Sequence, residues 1–273
     1  MPLGITQIDA FTATPFAGNS AAVCLLPAPR EDAWMQAVAR EMNLAETAFL
    51  LRADGQLAPG RPGNGSYQLR WFTPAVEVDL CGHATLASAH FLWEAGHLPP
   101  DATARFETRS GLLTASRAGE WISLDFPVTP AVPCPVPPAL ERALGARLCQ
   151  VAQSRFDYLV ELESAAAVRA IAPDFTLLER IGGRGVIVTA ASDDPKFDFV
   201  SRFFAPASGI PEDPVTGSAH CVLGPFWGPR LSKSDMVGYQ ASARGGVVRV
   251  GLRGDRVLLG GQAVTVLHGQ LLY

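Results

Sequence analysis

Lysine is almost missing from this chain. Among 22 basic residues only Lys196 and Lys233 are lysines, and neither lies in an apolar, pocket-like run. Schiff-base chemistry, which needs a desolvated lysine amine, has little to work with. Cysteine is scarce as well. The five, Cys24, Cys81, Cys134, Cys149 and Cys221, are odd in number and form no C-x-x-C pair. They read as reduced thiols of a cytoplasmic protein, and not as a disulfide frame or a zinc site. Positive charge is not in excess: the formal net charge is −4, which removes the electrostatic case for nucleic acid or an anionic membrane. No uncharged apolar run reaches membrane-spanning length, and the opening MPLGITQIDAFT lacks the basic-then-apolar pattern of a signal peptide. What remains is 48% apolar and 18% charged, ample for packed cores.

The organising feature is a repeat. The stretch from Arg202 to Trp227 has an echo from Arg70 to Trp93: Arg70, Phe72, Pro74 and Ala75 match Arg202, Phe204, Pro206 and Ala207 at one spacing. After a short insertion, Gly82 and Ala84 match Gly217 and Ala219. A period near half the chain suggests a duplicated domain, not a solenoid. Two similar lobes are expected, 1–127 and 128–273, with the last strand free to return to the first and one site between the two Gly turns.

Local patterns fill in the lobes. Strands are expected at Ile5–Phe11, Ala21–Leu26, Thr47–Leu51 and Tyr67–Phe72, with a helix over Glu31–Met42. The Gly- and Pro-rich stretch Gln56–Ser66 reads as a hairpin loop. Ala84–Ala95 is apolar almost all round, as suits a helix buried inside its domain. Short strands follow to Phe126. Pro127–Pro138, with six prolines, reads as a linker. The second half repeats the mix, ending with a motif helix from Gly217 that Pro225 is expected to kink or shorten. The fold class is α+β, each lobe a sheet wrapped round a central helix.

Both motif turns place backbone N–H groups of a Gly-X pair at a helix start, suited to a carboxylate or a developing enolate. Gly82-His83 and Gly217-Ser218 are the donors. Glu46, flanked by apolar residues in NLAETAFLL, becomes a proton carrier if burial raises its pKa; the plain alternative is an edge or capping glutamate. His83 is either a general acid or orienting donor, or a helix-start histidine bonded to backbone. Asp213 either holds His83 or a substrate polar group, or forms the turn before Pro214. Ser218 reads as a helix cap, since no G-x-S-x-G surrounds it. His83, His90 and His97 recur every seventh residue, which is not the spacing of a metal helix, so no metal is expected. Gly182-Gly183-Arg184-Gly185 precedes a strand and is no dinucleotide fingerprint.

Taken together, DAFTATPFAGNSAAV, NLAETAFL, RWFTPAVEVDLCGHATLASAHFLW, RFFAPASGIPEDPVTGSAH and GYQASARGG resemble the PhzF-like family of phenazine-biosynthesis-type isomerases. The resemblance implies the diaminopimelate epimerase-like fold, two β-barrel-like lobes around central helices, a homodimer and no cofactor. It implies a small-molecule carboxylate as substrate and a glutamate that moves a proton between carbons of a dihydro-hydroxyanthranilate. Glu46 matches that acid/base, with His83 and Asp213 beside it. Ser218 matches the serine of T-G-S-A, and Gly18-Asn19 the family's Gly-Asn turn. Racemases on this fold oppose two cysteines. Here Cys81 stands in one position and Thr216, which cannot titrate near pH 7, in the other. Cys81-assisted epimerisation or dehydration of an amino or imino acid is the alternative chemistry, and a non-enzymatic binding protein on the same fold is the other alternative.

Overall fold

The computed structural model describes residues 2–53 and 66–272; of the hairpin loop expected over Gln56–Ser66, all but Ser66, which opens a strand, lies outside the described residues. The architecture is α+β and divides into two compact units, Met1–Asp125 with Gly260–Tyr273, and Phe126–Leu259.

The first unit runs β1 (Leu3–Ala10), β2 (Asn19–Leu26), α1 (Asp32–Met42), β3 (Glu46–Arg52), β4 (Ser66–Phe72), β5 (Glu77–Val78), α2 (Gly82–Glu94), β6 (Ala104–Thr108), β7 (Gly111–Ala118) and β8 (Trp121–Pro127). β2 lies parallel to β3 and β4 parallel to β6, while the other steps along the sheet are antiparallel. Parallel neighbours need a crossover, and α1 and α2 supply the two. α1 carries Asp32 in its first turn and Arg40 in its last, and stops where Asn43 turns left-handed. Met35, Val38 and Ala39 pack its inner face against Cys24, Phe49 and Phe72. α2 is buried on nearly every side and packs on β1, β2 and β3. Its polar side chains are satisfied locally, Thr85 Oγ1 donating to the Cys81 carbonyl and Ser88 Oγ to that of Ala84.

The second unit runs β9 (Val132–Pro133), α3 (Leu140–Leu144), β10 (Gln150–Gln153), β11 (Asp157–Glu161), α4 (Ala165–Ala170), α5 (Phe175–Glu179), β12 (Gly185–Ala191), β13 (Phe199–Ala205), β14 (Ile210–Asp213), α6 (Gly217–Leu231), β15 (Asp235–Gln240), β16 (Gly246–Arg253) and β17 (Arg256–Gly261). From β10 to β16 the pairings follow the same order as from β1 to β7: β11 with β12 and β13 with β15 are the parallel steps. The C-terminal strand, β18 (Ala263–Leu271), pairs antiparallel with β1 and so belongs to the first unit.

The matched arginines of the repeat do matched work. Arg70 in β4 grips Glu77 in β5 through two hydrogen bonds of 2.7 Å, and its guanidinium sits over Phe72. Arg202 in β13 grips Glu212 in β14 at 2.7 and 2.9 Å and sits over Phe204. Each bidentate pair fastens the short hairpin that leads into a buried helix.

Two expectations need correction. The proline-rich stretch 127–138 is not a free linker: β9 pairs with β10, and Val128 and Thr129 donate backbone N–H groups to Asp255 and Cys221. Pro225 does not shorten α6, which continues through Pro225 and Pro229 to Leu231. A proline at 225 cannot donate to the carbonyl of Cys221. Thr129 N donates to it instead, at 3.0 Å.

Candidate active site

In the first unit the site grows from the turn between β1 and β2. Phe11, Phe16 and Gly18 all have positive φ there. A Cβ on Gly18 would stand 2.2 Å from the Ala10 carbonyl oxygen, so only glycine fits. This turn delivers Asn19, fully buried, as the first residue of β2. Beside it Glu46 opens β3, opposite Ala21 in the parallel ladder. α2 begins at Gly82 after Cys81, whose side chain makes no capping bond. His83, in its first turn, projects into the same space.

There His83 Nε2 lies 3.1 Å from Glu46 Oε2, an ion-pair distance without the alignment of a hydrogen bond. Asn19 Nδ2 is 3.2 Å and Cys81 Sγ 3.5 Å from Nδ1 of the same ring. Glu46, Cys81 and His83 are all buried. Burial opposes a charged ring at His83, but its neighbours Cys81 and Glu46 outweigh it and raise its pKa well above the ordinary histidine range. Burial and the Glu46 charge push the Cys81 thiol up to about 11. With that thiol protonated at neutral pH, Glu46 is the partner that holds the imidazolium. A doubly protonated ring donates from both nitrogens, so Asn19 then turns its amide oxygen to Nδ1. For the neutral ring, the amide N–H donates to Nδ1 and leaves the ring proton on Nε2, facing Glu46.

Glu46, Cys81 and His83 offer oxygen, sulfur and nitrogen within 4.8 Å of one another, a possible metal donor set. The fit is poor. Cys81 approaches Nδ1 and Glu46 approaches Nε2, opposite edges of one ring, so the three do not cradle a common ion. His90 lies 3.5 Å from Glu94 on α2, and His97 falls beyond that helix.

The second unit places Asp213 at the end of β14 and Thr216 as N-cap of α6. Asp213 Oδ2 accepts from Thr216 Oγ1 at 2.6 Å, so the threonine leaves the first-turn amides uncapped. Gln240, fully buried in β15, braces this turn: its Oε1 accepts from Thr216 N at 2.9 Å and its Nε2 donates to the Asp213 carbonyl at 2.7 Å. Gly217 is the first residue of the helix. Ser218 follows inside it and is not the cap; its Oγ accepts from Arg184 Nη2 at 2.9 Å. Sequence reading passed over Gln240, Arg184 and Asp157. An arginine directly ahead of a strand, in GGRG, was the available signal for Arg184.

His220, one turn into α6, is fully buried and structural. Nδ1 donates to the Thr216 carbonyl at 2.8 Å, and burial lowers its pKa to about 4. An unfolded chain protonates histidine near pH 6.5, so between these values the unfolded state binds more protons and stability rises with pH. The contribution is complete above pH 6.5, and about 3 kcal/mol is lost as pH falls to 4. His220→Gln should flatten this acid limb in a series of denaturant-unfolding curves; an unchanged slope would assign the limb to another group.

The phenazine biosynthesis-like protein family profile matches residues 8–269. An uncharacterized isomerase of Halalkalibacterium halodurans is 52% identical over 273 residues, 100% of this chain and 99% of that one. The solved phenazine biosynthesis protein of the PhzF family from Enterococcus faecalis is similar with a TM-score of 0.92 at 40% identity, over 100% of both chains. A probable proline racemase from Agrobacterium radiobacter, 13% identical, shares the fold alone: its TM-score is 0.62 over 99% of this chain and 93% of that one.

Proposed function

The chain belongs to the phenazine biosynthesis-like protein family and is an isomerase, and we propose that Glu46 carries the proton it moves, between carbons of a small cyclic or unsaturated carboxylate. The buried Glu46–His83 pair supports this reading. A carboxylate held 3.1 Å from an imidazolium in a water-poor space is fixed in place, and its reacting oxygen needs no reorganisation. Glu46 takes a proton from one carbon, the electron pair left behind delocalises into the conjugated carboxylate, and Glu46–H returns the proton at another carbon. Nothing is consumed. His83 keeps positive charge beside the carboxylate throughout, and Asn19 orients the ring. The common order of pairings supports reading the two units as copies of one ancestral unit.

Proton–deuterium exchange in D₂O tests the proposal, with dihydro-hydroxyanthranilate and a panel of small cyclic and amino acids followed by NMR. Exchange at a substrate carbon is expected; none with any compound would leave the family membership standing and remove the proton shuttle. Cys81 is not the base in this scheme, because its thiol stays protonated to about 11. Cys81→Ser should therefore keep exchange within about threefold of wild type. A loss approaching the 10²–10⁴-fold of a missing acid/base group would transfer the role to sulfur.

A further inference from the structure

The turn between β1 and β2 holds a residue whose conformation the core does not explain. Phe16 has φ +68, the left-handed region in which a bulky side chain is a rare outlier. Phe11, earlier in the same turn, shares that conformation, but its ring is fully buried and packs over Gly261. Burial offsets its strain. Phe16 has no such compensation. It is 77% exposed, and among the described residues only Leu272 is a more exposed large apolar side chain.

The conformation is imposed from inside. Asp9, 1% exposed, accepts the Phe16 backbone N–H on Oδ2 at 2.7 Å and the Ser20 hydroxyl on Oδ1. One buried carboxylate thus ties both ends of the segment from Phe16 to Ser20. Thr14 N donates to Thr12 Oγ1 at 2.9 Å and Ala17 N to the Thr14 carbonyl at 3.3 Å, which closes the turn ahead of it. Within the segment, Gly18 lies too close to Ala10 and Thr12 for a side chain, and Asn19 meets His83 at 3.2 Å. The Phe16 ring therefore stands on a braced support, three residues from the side chain that touches His83. Strain held in place by buried hydrogen bonds, at a residue that adds nothing to the core, points to a ligand-facing position.

We propose that Phe16 is a specificity-determining residue of the first unit, its ring covering the flat face of a conjugated ring carboxylate held at Glu46. The substrate class rests on the function proposed above. A planar conjugated ring offers a face on which an aromatic side chain stacks, and a saturated, puckered ring does not. Covering Phe16 with substrate also removes its apolar area from water. Because the braced turn fixes the backbone, little freedom is lost on binding. Aromatic stacking of this kind amounts to about a two- to tenfold change in affinity.

The test titrates the full chain, ¹⁵N-labelled, with benzoate and with cyclohexanecarboxylate, ligands alike in charge and size, and follows the Asn19 side-chain amide by NMR. Thermal unfolding is recorded beside it. Phe16→Gly removes the ring together with the strain, and Phe16→Tyr keeps an aromatic face. Wild type should bind benzoate the more tightly, with shifts at Asn19. In Phe16→Gly the ratio of the two affinities should fall by about two- to tenfold, while Phe16→Tyr should retain it. The unfolding midpoint of Phe16→Gly should not drop, since glycine adopts positive φ without steric cost. An unchanged ratio in Phe16→Gly would make the ring a bystander, and a lower midpoint with equal weakening of both ligands would make it part of the fold. Either result overturns the proposal, as does a wild type that binds no benzoate or shows no shift at Asn19. Failure of the proton-shuttle reading looks different: the affinity ratio would move as stated while the exchange experiment stays silent.

Discussion

Glu46→Gln should lower proton–deuterium exchange by about 10²–10⁴-fold, the usual cost of losing a general acid/base group. Glutamine has nearly the same size and can still hydrogen-bond, but it cannot hold and return a proton. The fold should survive, because Glu46 sits at the first position of β3 and its ladder partner is Ala21, joined through backbone. An independent readout comes from His83. The Glu46 carboxylate is one of the partners that raise its pKa, while burial lowers it. Removing that charge should bring the His83 titration down in pH, seen in the imidazole NMR signals. Exchange that persists in Glu46→Gln would end the single-glutamate mechanism. A His83 titration that stays in place would mean that Glu46 is not what holds the ring charged.

Gly18→Ala should be the most damaging single methyl group in the first unit. The backbone there has φ +63, and the new Cβ would stand 2.2 Å from the Ala10 carbonyl and 2.7 Å from a Thr12 methyl carbon. The left-handed conformation alone costs roughly 1–2 kcal/mol for a residue with a Cβ. Backbone overlap adds to that, so a loss of more than about 3 kcal/mol is expected in denaturant unfolding. The consequence reaches the chemistry, since Gly18 sets the entry of Asn19 into β2 and Asn19 meets His83 at 3.2 Å. Where the variant still folds, exchange should fall further than the remaining folded fraction explains. Activity that tracks the folded fraction alone would show that Asn19 does not need this turn.

Much of the molecule was legible before folding. α1 announced itself by Asp32 at its start and Arg40 at its end, and α2 by an apolar run that leaves no polar face. The repeat of Arg70 and Phe72 by Arg202 and Phe204 marked two hairpins now seen to be braced in the same way. Glu46 and His83 stood out because a carboxylate among apolar residues and a histidine at a Gly turn are unusual company. That α6 runs on past Pro225 was not legible, because it depends on where the orphaned Cys221 carbonyl finds a donor, and that donor, Thr129, lies far away in sequence.

Local chemistry thus determined the elements, the turns and the residue types of the site, since propensity, capping and periodicity act over a few neighbours along the chain. Only the tertiary structure decided which of those residues meet. The parallel ladder of β2 and β3 sets Glu46 alongside the turn that carries Asn19, and α2 brings His83 to both. The register of β11 on β12 joins Asp157 to Arg184, and β15 brings Gln240 to Thr216. Such meetings follow from strand register and from packing around buried helices, where burial of distant segments against one another outweighs any preference of the residues themselves.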